Sequence, residues 1–167
     1  MSQGPDTLYR EAAAQFGPAL QRLARATEAD ADRRRDLLQD MHVALWRSFA
    51  GFDGRCALST WVYRVAHNVA ADHVARETRR RRPLVGLDEI ADLPAAEAED
   101  AAGALARLMA LIRRLKMPDR QIVLLYLEDL DAAAIAAIVG LTPGAVAARI
   151  SRAKTQLAKL NQEGQHD

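Results

Sequence analysis

Apolar side chains along this chain recur at spacings of three and four, the period of an amphipathic helix. Between Leu8 and Ala24 the set is Leu8, Ala12, Phe16, Leu20 and Leu23; between Arg35 and Phe49 it is Leu37, Leu38, Met41, Leu45 and Phe49. Gly51-Phe52-Asp53-Gly54 then breaks the pattern, because two glycines within four residues disfavour helix. Ser59 or Thr60 can cap a longer helix whose stripe is Trp61, Val62, Val65, Ala66, Val69 and Val74, and which must stop before Pro83. Periodicity returns with Leu105, Leu108, Leu111, Ile112 and Leu115. Pro118 restarts a helix at a position where its missing N–H costs little, with Ile122 to Leu127 as the apolar body. No alternating apolar and polar run occurs, so the pattern predicts an all-α protein.

The last sixty residues carry the sharpest local signals. Asp131 can cap a short helix with Ile135, Ile138 and Val139 inside, and Gly140 supplies a residue able to take the left-handed conformation after it. Thr142-Pro143 then opens another helix, threonine as cap and proline at the first helical position. Val146, Ile150, Leu157 and Leu160 form its inner side; Arg149, Arg152, Lys154 and Lys159 lie mostly elsewhere, and no acidic residue falls between Thr142 and Leu160. Helix, glycine turn, basic helix is the layout of a helix-turn-helix. Two ordinary core helices with a solvated cationic face would show the same pattern. Guanidinium groups on such a face can pair with phosphates or grip guanine edges bidentately.

Charge changes the picture more than composition does. The 167 residues carry a net charge of only +1. Residues 1–82 nevertheless hold 14 basic and 10 acidic side chains, residues 83–104 hold 6 acidic and no basic ones, and residues 105–167 hold 9 and 6. Two basic blocks flank an acidic one, which suggests two modules and a linker: 1–82, 83–103 and 104–167. In the first block Arg64, Asn68, Asp72 and Arg76 follow at four-residue steps away from the valine stripe, and Arg79 and Arg80 extend the row. A solvated helix face would explain such a row. Five arginines at positions 76, 79, 80, 81 and 82 favour a polyanionic partner, since clustered like charge repels itself until something neutralises it. Trp61 and Tyr63 offer rings on which an unstacked base could lie, although Trp61 also falls on the apolar stripe.

Several function classes find no support. No run of about 18 apolar residues is present to form a membrane-spanning helix. The first residues lack the basic and apolar pattern of a secretory signal, and the single cysteine, Cys56, cannot form an internal disulfide, so a cytoplasmic protein is expected. His42, His67, His73, His166 and Cys56 show no metal-ligand spacing, and no glycine-rich phosphate loop occurs. Glu128, Asp129 and Asp131 are accounted for by a helix end and a cap. No enzyme, no cofactor and no metal is expected.

Two sets of residues resemble a known family. Asp36-Leu37-Leu38-Gln39-Asp40 with Trp46, then Phe52-Asp53-Gly54-Arg55, then Ser59 through Asn68 with Asp72, is similar to the second conserved region of the extracytoplasmic-function (ECF) sigma factors, promoter-specificity subunits of bacterial RNA polymerase. Met117 through Gln121, Glu128-Asp129-Leu130, Ile135-Ala136, Gly140-Leu141-Thr142, Val146 through Arg149, Arg152-Ala153-Lys154 and Leu157 resemble their fourth region. The resemblance spans roughly residues 6–82 and 104–161, in the family's order.

The resemblance implies roles for named residues. Asp36, Leu37, Gln39, Asp40, Val43 and Trp46 would dock on the polymerase clamp. Phe52, Asp53, Gly54, Arg55, Ser59, Thr60, Trp61, Arg64, Asn68, Arg76, Arg79 and Arg80 would open the minus-ten element and hold an everted base. Thr142, Pro143, Gly144, Ala145, Ala148, Arg149, Arg152 and Lys154 would enter the major groove at the minus-thirty-five element. The acidic linker would thread the polymerase channel, with Glu97, Glu99 and Asp100 imitating nucleic-acid charge. Core RNA polymerase, promoter DNA and an anti-sigma factor are the implied partners, without membrane insertion. Arg33-Arg34-Arg35 stands where the family tends to be acidic, and Ala134 and Ala147 stand where it often has glutamate and lysine. With Gly144-Ala145-Val146-Ala147-Ala148 offering few polar groups, Arg149 and Arg152 would carry more of the base contacts. A stand-alone helix-turn-helix regulator, or a sigma-like interaction protein, is the alternative.

Overall fold

A computed structural model describes residues 3–81 and 100–166. These residues form helices α1 (Pro5–Thr27), α2 (Ala31–Ser48), α3 (Leu58–Arg81), α4 (Ala101–Arg113), α5 (Asp119–Leu127), α6 (Ala132–Val139) and α7 (Pro143–Glu163), with a 3-10 turn at Phe49–Gly51 and no strand among the described residues. The chain divides into two units between Arg79 and Arg80.

In the first unit α1 opens with proline at its first turn and buries Ala12, Phe16, Ala19, Leu20, Leu23 and Ala24. Asp30 caps α2 by accepting the amide of Arg33 at 2.9 Å, and Leu37, Met41, Leu45 and Phe49 complete the core with α1. The inner face of α3 is Val62, Tyr63, Ala66, His67 and Ala70. This corrects the valine stripe: Trp61, Val65, Val69 and Val74 are only half-buried. The helix is rotated so that Tyr63 meets Phe16 edge-on, ring centroids 5.6 Å apart, and an aromatic–aromatic contact replaces a valine face. Ser59 and Thr60 lie inside α3, which begins at Leu58, so neither caps it.

In the second unit Asp100 accepts the amide of Gly103 at 2.7 Å and starts α4 at Ala101. Residues 101–103, expected in the linker, are therefore helical, because an acidic residue counted as linker charge acts as an N-cap. The linker residues 83–99 lie outside the described residues, as does Arg82. Met109, Ile112, Leu115, Ile122, Leu125, Ile135 and Val146 build the core. The Arg120 guanidinium, largely buried, donates to the carbonyls of Arg113 and Leu115 and ties α5 to the end of α4. Asp131 caps α6 through the amide of Ala134 at 2.8 Å, and Gly140 ends it with φ +76°. Thr142 caps α7, and the chain turns by 102° between α6 and α7, within the range of helix-turn-helix motifs. No single described helix is long and apolar enough to cross a membrane.

Candidate functional site

On α2, Asp36, Gln39, Asp40, Val43 and Trp46 form one exposed row. Val43 is 41% and Trp46 50% exposed, an apolar pair that water does not favour. Leu37 does not join them: it is buried in the core at 1% exposure, since the step from 36 to 37 turns the side chain about 100° round the helix. Its expected place on the docking surface is thus corrected to a packing role. Two residues far away in sequence shape the row. The Trp46 indole donates to Asp6 at 2.9 Å, and the Tyr9 hydroxyl meets His42 Nδ1 at 3.0 Å. Burial lowers the His42 pKa. Contacts over 40 and 33 residues leave no periodic trace, so the sequence offered no signal for Asp6 or Tyr9.

The Phe52–Arg55 loop is folded against this helix end. Phe52 packs edge-on between Phe49 and Trp61, with centroid distances of 6.2 and 5.2 Å. The Trp61 indole donates to Ser48 Oγ at 2.9 Å, and that hydroxyl donates to the Leu45 carbonyl at 2.8 Å. Asp53 accepts the Arg55 amide at 3.0 Å and pairs with its guanidinium at 3.0 Å, with Gly54 between them at φ +75°. Asp53, Gly54 and Arg55 face solvent. The turn needs a residue tolerant of positive φ, and glycine fills it.

From this loop α3 presents half-buried Ser59, Thr60, Trp61 and Arg64, then exposed Asn68, Asp72, Arg76, Arg79 and Arg80. Tyr63 is buried against Phe16 and has no face to offer a base, which corrects that expectation. His67 is also inside, and burial holds its pKa down at about 3, so the ring is neutral. The distal half of α3 is fixed by two cross-links to the α1–α2 junction: His73 to Glu28 at 2.9 Å and Glu77 to Arg33 at 3.0 Å.

On α7, Pro143, Gly144 and Ala148 are exposed, Ala145 is half-buried, and the Thr142 hydroxyl is occupied as cap by the Ala145 amide at 3.2 Å. Arg149 pairs with Asp119 of α5 at 2.8 Å, both side chains about one-third exposed. Lys154 donates to the Tyr126 hydroxyl at 2.9 Å. Arg152 is exposed and makes no ion pair among the described residues. Thus two of the three cations expected to meet DNA already have partners within the unit, and neither pairing leaves a periodic or spacing signal. Among the described residues no cluster of three or more histidine, cysteine or acidic side chains could hold a metal.

Comparison with known proteins gives this geometry a frame. The family model for sigma-70 region 2 matches residues 13–80, and the model for sigma-70 region 4 matches residues 105–157. The chain is 29% identical over 175 residues to the RNA polymerase sigma factor NccH of Alcaligenes xylosoxydans, covering 98% of this chain and 92% of NccH. It is 30% identical over 143 residues to the ECF RNA polymerase sigma factor SigM of Mycobacterium tuberculosis, covering 84% of this chain and 70% of SigM. Among solved structures, CnrH in complex with the cytosolic domain of CnrY superposes with a TM-score of 0.68 at 25% identity, over 93% of this chain and 88% of that one. The exposed α2 row and the arginine face of α3 fall within the region 2 match, and the helix-turn-helix falls within the region 4 match. Together with the likeness to SigM over most of both chains, they show that this chain belongs to the ECF RNA polymerase sigma factors, which act in transcription initiation.

Proposed function

We propose that the chain directs core RNA polymerase to a particular promoter set by binding alone, in the cytoplasm and with no catalysis of its own. The α2 row of Asp36, Gln39, Asp40, Val43 and Trp46 docks on the polymerase. The Phe52–Arg55 loop and the outer face of α3, from Ser59 to Arg80, take the opened minus-ten element, with exposed arginines on the strand backbone. Helix α7 enters the major groove at the minus-thirty-five element, where Arg152 makes the leading contact. CnrH is seen with the cytosolic domain of CnrY; by that likeness this chain takes a protein partner of the same kind, an anti-sigma factor.

The observation that carries the reading is the exposed Val43 and Trp46 beside three polar residues on one side of α2. A stand-alone helix-turn-helix regulator has no use for that surface. Run-off transcription with purified core polymerase over promoter fragments tests it. Specific transcripts that need the protein are the expected result, and failure to bind core polymerase would overturn the proposal.

A further inference from the structure

One exposed carboxylate stands apart on the basic face of α3. Asp72 lies between Asn68 and Arg76, one turn from each, in the row proposed to take an opened strand. The helix itself has no use for it there. Asp72 is far from both ends of α3 (Leu58–Arg81), so it neither caps the helix nor meets its dipole, and aspartate is a poor helix former in an interior position. Its carboxylate makes no hydrogen bond or ion pair with another described residue, Arg76 included. Its placement is nevertheless fixed. The next residue, His73, is tied to Glu28 at 2.9 Å, and Glu77 is tied to Arg33 at 3.0 Å, so this stretch of α3 is held to the α1–α2 junction with Asp72 facing outward.

On a face that meets phosphates a carboxylate costs affinity, because like charges repel. Only a group that donates hydrogen bonds offsets that cost, since an ionised carboxylate has two acceptor oxygens and no donor. In a DNA strand the donors are on the bases. An opened strand exposes their Watson–Crick edges, and there guanine carries two adjacent donors, N1–H and the N2 amino group. Adenine, cytosine and thymine each set one donor beside an acceptor, which would confront the second carboxylate oxygen. Guanine alone satisfies both oxygens at once. Residues 68, 72 and 76 also follow at about 6 Å along the helix axis, wider than the roughly 3.4 Å between stacked nucleotides, so the row suits bases drawn out of their stack.

We infer that Asp72 is a specificity-determining residue that accepts both donors of an unstacked guanine and so favours guanine-bearing strands. This role rests on the proposed reading of the outer α3 face as the strand-binding one, to which it adds the base that is read. It is independent of polymerase docking, and the free full-length chain serves to test it.

The measurement is fluorescence anisotropy at low salt with short labelled oligothymidylates that carry one central guanine, inosine, adenine or cytosine. The guanine strand should bind about tenfold tighter than the all-thymidine strand, the scale of one good bidentate base contact. Inosine, which lacks the N2 amino group, should lose most of that gain. Asp72→Ala should abolish the guanine preference and bind the all-thymidine strand no more weakly than the natural chain, because it removes a repelling charge. Asp72→Glu, which keeps the carboxylate on a longer stem, should retain part of the preference. Matching circular dichroism melts would show that the variants are folded. Arg76→Ala separates this role from the reading beneath it: as a backbone contact it should weaken every strand equally. If it does so while guanine is not preferred, or while the preference survives in Asp72→Ala, the role of Asp72 is overturned and the strand-binding face stands. If Arg76→Ala and Asp72→Ala both bind every strand as the natural chain does, the face and the role are overturned together.

Discussion

Glu28, at the end of α1, accepts a hydrogen bond from His73 of α3 at 2.9 Å across 45 residues of sequence, and both side chains are nearly closed to solvent. Its other oxygen accepts the Asp30 amide at 2.9 Å. One carboxylate therefore fixes both the α1–α2 turn and the angle at which the arginine-bearing half of α3 leaves the core.

That arrangement sets a pH dependence. Burial pushes the Glu28 pKa up, but the Asp30 amide, His73 and Arg33 together outweigh it and hold the carboxyl below its ordinary 4.5. A depressed carboxylate contributes stability that is fully present above pH 4.5 and is lost as pH falls through the folded value. Glu28→Gln should cost about 1–3 kcal/mol at neutral pH, and its melting temperature should fall less than that of the natural chain between pH 5 and pH 3. Parallel pH profiles for the two proteins would refute the assignment.

His67 acts at higher pH. Its pKa of about 3 lies below the ordinary 6.5, so the unfolded chain binds a proton that the folded one refuses. Stability is retained above pH 6.5 and declines below it, by up to about 1.4 kcal/mol per pH unit. Thermal melts between pH 7 and pH 5 should show this decline in the natural chain and not in His67→Gln.

Leu37 and Trp46 separate folding from docking on the same helix. Leu37→Ala should destabilise the first unit by about 2–5 kcal/mol through the cavity it leaves. Trp46→Ala and Val43→Glu should leave melting nearly unchanged and weaken binding to core polymerase, read by fluorescence titration. Asp6→Ala, which frees the indole, should fall between them on binding.

Arg149 and Arg152 should behave differently on DNA. Arg152→Ala is expected to weaken binding to a minus-thirty-five duplex by about 1–3 kcal/mol if it reads a base, or to lower the salt slope by about 1 on every sequence if it meets a phosphate. Asp119→Ala releases Arg149 from its 2.8 Å pair and should raise affinity for unrelated duplexes with a steeper salt slope. Unchanged affinity would show that the released guanidinium does not face DNA.

The helices themselves were legible because their signals are local. Asp131, Gly140, Thr142 and Pro143 perform the cap and turn chemistry that their types suggest, within a few residues of one another. The inner face of α3 was misjudged because Tyr63 and His67 have polar tips, and periodicity alone favoured the valines. The expected rows on α2 and α3 were legible as surface positions apart from buried Leu37 and half-buried Ser59, Thr60, Trp61 and Arg64. Its pairings were not: Asp6 with Trp46, Asp119 with Arg149 and Glu28 with His73 lie 30 to 45 residues apart. Such contacts are fixed by how helices pack, and no spacing rule reaches that far. Asp100 was misread for the opposite reason, since a cap and a linker charge look alike until the helix behind it is seen.

The Trp61–Ser48 hydrogen bond joins the last turn of α2 to the first turn of α3, with the Phe52 ring packed against the same indole. Helix α2 and the Phe52–Arg55 loop consequently form a single mechanical piece rather than two surfaces on a flexible frame. A push on the Val43–Trp46 side is carried by the stiff helix to Ser48 and from there directly into the loop. In the proposed function, the surface that meets the polymerase and the loop that takes the strand would then keep a fixed spacing, set by the Trp61–Ser48 and Phe52–Trp61 contacts.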